Sequence, residues 1–314
     1  MVLQQKNNLF VYIILVFGMF CWGASFVFTA IALKSLDPIS IVFVRLLISV
    51  VLLWVVNTVF FRKEKISFSV FKWIAALSLF QPFIYFIGET YGLQRISPVV
   101  SSLIISTIPV FTAIVMRLFF KAKLTMVNFA GIIISLLGVI MMIVGKNMQI
   151  EIDISGLLLL SVAVLAAVVY GILLNKVSTD VHPVKLIAVQ NTCAVLYFLP
   201  LYLVLGETPN FDHPTVFTSF NPQWEMWICL LILSVFCSTL TFIIYTIAVG
   251  RIGIVRTVVF SNLTPIFTAI TSFFILEERL AATKIIGIFV VILGLILTQR
   301  KKKIIKDSLS HSTI

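Results

Sequence analysis

Apolar residues follow one another in ten long runs along this chain, and short segments that hold most of the charges separate the runs. An α-helix needs about 20 mostly apolar residues to cross a bilayer, and each run reaches about that length. No run shows the alternating pattern of a membrane β-barrel. The pattern therefore predicts an all-α polytopic membrane protein with ten transmembrane helices, at roughly 10–33, 39–60, 70–93, 96–120, 126–144, 154–176, 183–205, 225–249, 252–275 and 281–299.

One segment of the chain occurs twice. Residues 106–114 read STIPVFTAI and residues 262–270 read NLTPIFTAI, and the match extends without a gap to Gly131 and Gly287. Self-similarity over such a length indicates an internal duplication. Each copy holds five predicted helices, and an odd number of crossings places the second copy upside down in the membrane.

The duplication divides the chain into three predicted parts. We expect a first five-helix repeat at 1–148, a second and inverted five-helix repeat at 153–303, and a cytoplasmic tail at 304–314. Inverted repeats are a recurrent way to build a binding site near the bilayer midplane that opens alternately to either side. The arrangement therefore favours a transporter of small molecules over a protein with a rigid structural role.

Composition and charge agree with this interpretation. The chain is 61% hydrophobic and 11% charged, which leaves too few polar residues to cover a soluble globule of 314 residues. With a cytoplasmic N-terminus, most of the 23 Lys and Arg residues fall in cytoplasmic segments, as the positive-inside rule requires. The net charge of +11 thus reflects topology rather than nucleic-acid binding. It predicts that both termini are cytoplasmic and that residues 300–306 contact anionic lipid headgroups.

The sequence shows no motif for catalysis. The three histidines, His182, His213 and His311, fall in predicted loops or in the tail, and no His-x-x-x-His or Glu-x-x-x-His pair lies in a predicted span. There is no Gly-x-Ser-x-Gly motif and no phosphate-binding loop. The four cysteines fall inside predicted spans, where they are expected to pack as small apolar residues. We therefore predict no enzyme activity, no metal and no cofactor.

Two prolines occupy equivalent positions of the duplicated segment. Pro109 and Pro265 each lack an amide hydrogen, so each is expected to kink its helix. The kinks have two interpretations: ordinary packing, or paired bends that flank a central pathway and take part in gating. Polar neighbours such as Ser106 and Asn262 favour the second interpretation and are themselves candidates for the wall of that pathway.

Several short motifs resemble those of one known family. They are Trp22-Gly23-Ala24-Ser25-Phe26, the pair Asp37-Pro38 followed by Arg45, the Pro109 and Pro265 segments, and Glu277-Glu278-Arg279-Leu280. In these features the chain is similar to the EamA branch of the drug/metabolite transporter superfamily. The resemblance implies a protein of the bacterial inner membrane that exports or exchanges small metabolites such as amino acids. The acidic turn that this family has after its fourth helix is Lys121-Ala122-Lys123 here.

Aromatic residues lie in the helices that the resemblance places around the cavity. Rings with one polar atom suit the recognition of amphipathic metabolites, although the aromatic belts of membrane interfaces use the same residues. Together with the polar and acidic positions, they complete the predicted set of cavity residues, which is Trp22, Tyr85, Glu89, Ser106, Tyr170, Tyr245 and Asn262.

Two opposite charges are predicted inside neighbouring spans. Arg45 follows the start of the second span and Glu89 precedes the end of the third, which places both at a similar depth near the outer surface. A charge inside a span costs about 2.5–3.5 kcal/mol on insertion scales, so it usually finds a partner or water. We predict that Arg45 and Glu89 form a buried ion pair. The alternative is that Arg45 reaches the outer headgroups alone while Glu89 lies in a wet vestibule.

Three further alternatives are open at the level of sequence. A pore or a sensor without carrier activity is the alternative to a transporter. The driving force is a proton or sodium gradient, or the gradient of the substrate itself. The strip Gly131, Ser135 and Gly138 is expected to pack within the molecule first and to form a dimer face second, so the protein is predicted to be a monomer or a homodimer.

Overall fold

The computed structural model describes residues 2–60, 66–120, 126–143, 153–178, 181–217, 221–278 and 282–298. The predicted tail at 304–314 and the basic residues 300–306 lie outside these described residues. Within them, every regular element is helical.

The described helices coincide with the ten predicted spans. In chain order we name them α1 (Val2–Ala32), α2 (Pro38–Phe60), α3 (Phe68–Leu93), α4 (Pro98–Ile105 and Ile108–Phe120), α5 (Met126–Ile143), α6 (Ile154–Val177), α7 (Pro183–Leu205), α8 (Pro222–Ile252), α9 (Ile254–Thr257, Val258–Leu263 and Thr264–Ile275) and α10 (Ala282–Thr298). Seven of them, α1 to α4 and α6 to α8, are long and apolar enough to cross a membrane. The prediction of an all-α polytopic membrane protein is therefore confirmed.

Local sequence explains where several helices begin. Proline is the first residue of α2, α4, α7 and α8, a position where the missing amide hydrogen costs nothing. Asn221 caps α8 by accepting a hydrogen bond from Trp224 N at 3.0 Å. Asp153 caps α6 in the same way, by accepting a hydrogen bond from Gly156 N at 2.8 Å. Hydrogen bonds from the Ser155 hydroxyl and from the backbone hold the pKa of the Asp153 carboxyl below its usual range.

The two halves of the chain interlock rather than lie side by side. Helix α5 packs along α10 and α2 along α7, so each of these helices contacts its own counterpart in the other half. Helix α1 packs against α8 and α9, and α6 packs reciprocally against α3 and α4. This exchange of partners is the pattern that two repeats related by a twofold axis produce.

Small residues allow α5 and α10 to approach closely. A Cβ atom on Gly138 would lie 2.7 Å from the backbone nitrogen of Val291, and one on Gly294 would lie 2.7 Å from the carbonyl oxygen of Gly131. Ser135 of the same strip is fully buried. The strip therefore packs within the molecule, which is the first of the two roles expected for it.

Four helices depart from α-helical geometry, at positions that correspond between the repeats. Helix α3 contains a π-helical segment at Leu79–Ile84 and α8 contains one at Leu233–Leu240. Helix α4 is interrupted by a turn at residues 106–107, and α9 passes through a 3-10 segment at Val258–Leu263. Pro109 and Pro265 are each the second residue of the α-helix that resumes after the interruption. Each interruption therefore lies directly before the α-helix that contains one of these prolines.

We expect Gly138→Ala to lower the free energy of unfolding by about 1–3 kcal/mol, because the added methyl group overpacks the contact between α5 and α10. Gly171→Ala is the matched control, since its Cβ would meet only the side chain of Ile254, at 3.3 Å. Thermal unfolding of the purified variants in detergent measures the difference. Equal melting temperatures for the two variants would contradict the close approach of these helices.

Candidate functional site

A cavity lies between the two repeats, at the level of the interrupted helices. It encloses about 700 Å³ of space free of protein atoms, counting its opening to solvent. Helices α1, α3, α4, α6, α8 and α9 form its wall, and α2 adds one residue. The lining residues are Trp22, Ser25, Phe26, Arg45, Gln81, Tyr85, Phe86, Glu89, Ile105, Ser106 and Ile108 from the first repeat, and Ala167, Tyr170, Phe242, Tyr245, Val258, Ser261 and Thr264 from the second.

The structure brings most of the predicted cavity residues together. Six of them line this one cavity: Trp22, Tyr85, Glu89, Ser106, Tyr170 and Tyr245. Asn262 does not line it, although its neighbours Ser261 and Thr264 do. The Asn262 side chain is buried, and its Oδ1 has no hydrogen-bond partner among the described residues.

Sequence reasoning missed several lining residues that helical spacing could have indicated. Residues three or four positions apart share one face of a helix. Ser25 and Phe26 stand at these distances from Trp22, and Phe242 stands three residues before Tyr245. Gln81 had no such signal, because it lies in the π-helical segment of α3 with a non-helical backbone conformation.

An aromatic cluster forms one wall of the cavity, with Phe242 of α8 at its centre. The Phe242 ring meets Trp22, Phe86 and Tyr170 edge to face, at centroid distances of 5.5, 6.3 and 6.4 Å. The ring centroids of Tyr245 and Trp22 lie 5.1 Å apart. Such contacts are favourable beyond the area they bury, so they hold the rings in fixed positions. The wall is thus a preformed apolar surface with hydroxyl groups at its edge.

Arg45 is a buried cation with few protein partners. Its side chain is 2% exposed, and its Nε donates a hydrogen bond to Ser238 Oγ at 2.9 Å. The Cζ atom lies 4.1 Å from the centre of the Phe86 ring, a cation–π contact. Nη1 has no hydrogen-bond partner among the described residues. Among the described residues, the guanidinium is therefore held by one hydrogen bond at Nε and by the Phe86 ring on one face.

Glu89 faces the same cavity from α3. It is 5% exposed, and its Oε1 accepts a hydrogen bond from the hydroxyl of Tyr85 at 2.9 Å, one helical turn earlier. The predicted ion pair is not closed in the described structure, because Ser238 and the Phe86 ring hold the guanidinium of Arg45.

Two adjacent residues of α7 support the site from behind. Asn191 Nδ2 donates to Ser49 Oγ at 2.9 Å and to the carbonyl oxygen of Ser238 at 3.0 Å. Gln190 Oε1 accepts from the hydroxyl of Tyr170 at 3.3 Å. The carbonyl of Ser238 is available because the π-helical segment of α8 widens the turn there. This network fixes both the residue that holds Arg45 and one ring of the aromatic wall.

The described part of the chain shows no arrangement of side chains suited to metal binding or to thiol chemistry. No group of three or more His, Cys, Asp or Glu side chains there could hold a metal ion. All four cysteines are buried and free.

Comparison with known proteins shows the family to which this chain belongs. A family model described as the EamA-like transporter family matches residues 9–144 and again residues 154–300. The chain belongs to this family. It is accordingly a membrane transporter with repeated halves and a small-molecule substrate, and not an enzyme.

Two curated relatives of this EamA-like transporter match over more than nine-tenths of their length. One is named an uncharacterized transporter of Archaeoglobus fulgidus, 27% identical over 295 residues, which cover 93% of this chain and 98% of the relative. Another is named uncharacterized transporter YcxC of Bacillus subtilis, 26% identical over 290 residues, or 91% of each chain. A solved structure described as "Crystal structure of protein" shares the fold, with a TM-score of 0.67 at 12% identity over 92% of this chain and 97% of that one.

We expect Ser238→Ala to lower the free energy of unfolding by about 1.5–3 kcal/mol, because it removes a hydrogen bond to a buried charge. Ser234→Ala is the matched control in the same segment of α8, since the Ser234 hydroxyl bonds only to Leu230 O of its own helix. Melting temperatures of the purified variants measure the effect. If Ser234→Ala lowers the melting temperature as much as Ser238→Ala does, the hydrogen bond to Arg45 adds no more stability than an ordinary buried hydroxyl.

Proposed function

We propose that this protein exports or exchanges small amphipathic metabolites, such as amino acids, by alternating access through the central cavity. The observation that carries the proposal is the lining of the cavity, to which both inverted repeats contribute. A site at the interface of such repeats can open to one side when the repeats rock one way and to the other side when they rock back.

The chemistry of the wall supports the choice of substrate. Trp22, Tyr170, Phe242 and Tyr245 offer an apolar surface with polar edges, which suits a molecule with an apolar body. Arg45 and Glu89 add charges of both signs to the same cavity, and the guanidinium of Arg45 lies against the Phe86 ring of the aromatic cluster. A purely apolar substrate would leave these charges without a partner in the cavity. A highly polar substrate would gain little from contact with the aromatic rings.

The interrupted helices supply a means of movement. The breaks in α4 and α9 lie beside Ser106, Ile108, Ser261 and Thr264, which line the cavity. Hydroxyl groups donate hydrogen bonds to backbone carbonyl oxygens at these breaks. Ser106 Oγ, for example, donates to Leu103 O at 2.7 Å. A backbone already satisfied in this way can bend without exposing unpaired groups to lipid. We assign α4 and α9 as the bending elements of the transport cycle.

We place the protein in the bacterial inner membrane with both termini in the cytoplasm. Lys72, Lys176 and Arg251 lie at the end of the bundle where α1 begins, which the positive-inside rule makes cytoplasmic. Lys176 Nζ lies 3.6 Å from the centre of the Trp73 ring, an arrangement suited to the membrane interface. A monomer suffices for transport in this scheme, because one chain forms the whole cavity.

We expect purified protein in liposomes to catalyse saturable uptake and counterflow of at least one amino acid or small aromatic metabolite. Counterflow requires that one site load alternately from both sides, so it separates a carrier from a pore. Protein-free liposomes and liposomes with heat-inactivated protein are the controls. Flux that does not saturate would identify a pore, and the absence of any flux across a broad panel would favour a sensor.

Pro109→Ala and Pro265→Ala are each expected to slow counterflow several-fold while the amount of protein in the membrane stays nearly unchanged. Alanine restores the amide hydrogen that the resumed helix lacks, which favours a straight helix over a bent one. Pro200→Ala is the matched control, because Pro200 lies inside α7 and is exposed away from the cavity. Counterflow rates equal to that of Pro200→Ala would assign both prolines to packing.

A further inference from the structure

A groove on the outer surface of the bundle lies between α2, α3 and α7. It encloses about 900 Å³ of space free of protein atoms, counting its opening. Phe68, Phe71 and Leu196 in its lining are 70%, 41% and 61% exposed, so the groove opens toward lipid. Its lining also includes Trp54 of α2 and two residues of α7, Lys185 and Thr192. We call it the basic groove.

The polar groups at the base of the basic groove are hydrogen-bonded within the protein. Trp54 Nε1 donates to Thr192 Oγ1 at 3.0 Å, and the Thr192 hydroxyl donates in turn to Ala188 O at 2.7 Å. An occupant of the groove therefore need not supply hydrogen bonds to these groups. The base suits a hydrocarbon chain, which has none to offer.

The length of the basic groove matches one leaflet of a bilayer. Along α7 the lining residues run from Lys185, close to the first residue of the helix, to Leu196. This distance is roughly 16 Å at a rise of 1.5 Å per residue. The hydrocarbon core of a bilayer is about 30 Å thick, so one leaflet contributes about half of that. The groove therefore extends from the level of the headgroups to about the midplane.

Two lysines border the headgroup end of the basic groove. Lys185 lines it, and Lys72 Nζ lies 4.7 Å from the centre of the Phe68 ring, which lines it as well. Both lysines follow closely on the first residues of their helices, at the end of the bundle where α1 begins. A lysine at such a depth keeps its stem on apolar surface and its ammonium group at the level of the headgroups. The groove thus combines an apolar channel with positive charge at one end.

The second repeat forms a counterpart of this groove at the opposite end of the bundle. This neutral groove lies between α2 and α8, with Trp224, Trp227 and Leu231 in its lining, and encloses about 730 Å³ on the same measure. The alignment of the two duplicated segments pairs Phe68 with Trp224 and Phe71 with Trp227. Both grooves therefore have aromatic rings at the same two positions of the repeat.

The lysines are particular to the basic groove. The same alignment places Ile228 at the position of Lys72, and alignment of the first residues of α2 and α7 places Ser40 at the position of Lys185. Duplication therefore does not account for the two cations. The positive-inside rule accounts for cations at this end of the bundle but not for their place beside a groove.

We propose that the basic groove binds one molecule of an anionic phospholipid. Its headgroup lies at the end that Lys72 and Lys185 border, and one acyl chain follows α7 to Leu196. In the orientation proposed above, this site belongs to the cytoplasmic leaflet. The bound lipid contacts both repeats, because α2 and α3 belong to the first and α7 to the second.

Lipid titration of the purified, full-length protein tests the site. The probes are phosphatidylglycerol, which is anionic, and phosphatidylcholine with the same acyl chains, which carries no net charge. Native mass spectrometry of the protein in detergent counts the bound lipids and gives their apparent Kd values. We expect one molecule of phosphatidylglycerol to bind roughly tenfold or more tightly than phosphatidylcholine, because the lysines attract only a headgroup with net negative charge.

The double variant Lys72→Gln with Lys185→Gln is expected to remove this preference. The matched control is Lys176→Gln with Arg251→Gln, which removes two exposed charges from the same end of the bundle outside the groove and is expected to keep the preference. Lys72→Gln alone changes an exposed residue, and it is expected to lower the preference about threefold, because each lysine contributes a similar attraction. The test therefore does not depend on the folding of the double variant.

Leu196→Trp tests the hydrocarbon part of the site. Leu196 is exposed, so the larger ring fills the groove without entering the core, and the affinity for phosphatidylglycerol is expected to fall several-fold. Leu231→Trp is the matched control, since Leu231 is an exposed leucine of the neutral groove. Its affinity should equal that of the unaltered protein.

Equal affinity for the two lipids would overturn the proposal. Equal losses in the two double variants would do so too, since they indicate a general attraction to the basic end of the bundle. Unchanged affinity in Leu196→Trp would show that the lipid does not occupy the groove. Each of these results leaves the transport function standing, because counterflow tests that function separately.

Discussion

A backbone that leaves α-helical geometry inside a bilayer must find its hydrogen-bond partners within the protein, because lipid offers none. The structure of this chain depends on that constraint. The four irregular helices, α3, α4, α8 and α9, all border the cavity. At the breaks of α4 and α9, hydroxyl groups of the same helix bond to its carbonyl oxygens, and in α8 side chains from other helices do so. The carbonyl oxygen of Cys237 accepts from Trp22 Nε1 at 3.3 Å, and that of Ser238 accepts from Asn191. The same irregularities that create the cavity thus supply the polar contacts that hold its wall.

Duplication explains where the irregular segments lie, but not which side chains surround them. The breaks occur at corresponding places in the two repeats, as symmetry requires. The side chains around them have diverged. Alignment of the first residues of α2 and α7 pairs Arg45 with Gln190, and the alignment of residues 106–114 with 262–270 pairs Glu89 with Tyr245. Repeated halves of similar fold therefore enclose a cavity whose lining is asymmetric in charge. In the alternating access proposed above, the similar fold of the halves provides the two open states.

The sequence was sufficient to predict the helices and the repeated halves, because hydrophobic length and internal similarity are read directly from the chain. Six of the seven residues that it assigned to a cavity line one, but most of the other lining residues were not predicted. The sequence was not sufficient to predict the contacts of Arg45. Span lengths place Arg45 and Glu89 at similar depth but say nothing about the rotation of each helix about its axis. The partner of Arg45 proved to be Ser238, on a helix of the other repeat, presented by a π-helical segment that no periodicity reveals. Asn262 illustrates the same limit, since the 3-10 segment turns it away from the cavity that its neighbours line.

Side-specific thiol labelling tests the proposed alternating access of the cavity. The variant is Ser261→Cys, at a lining position, in a chain whose four buried native cysteines are replaced by alanine. Membrane-impermeant thiol reagents are applied to right-side-out and to inside-out vesicles. We predict that Cys at this position reacts from both sides, and that a transported substrate changes the two rates in opposite directions. Reaction from one side only, at a rate that no substrate alters, would contradict the claim.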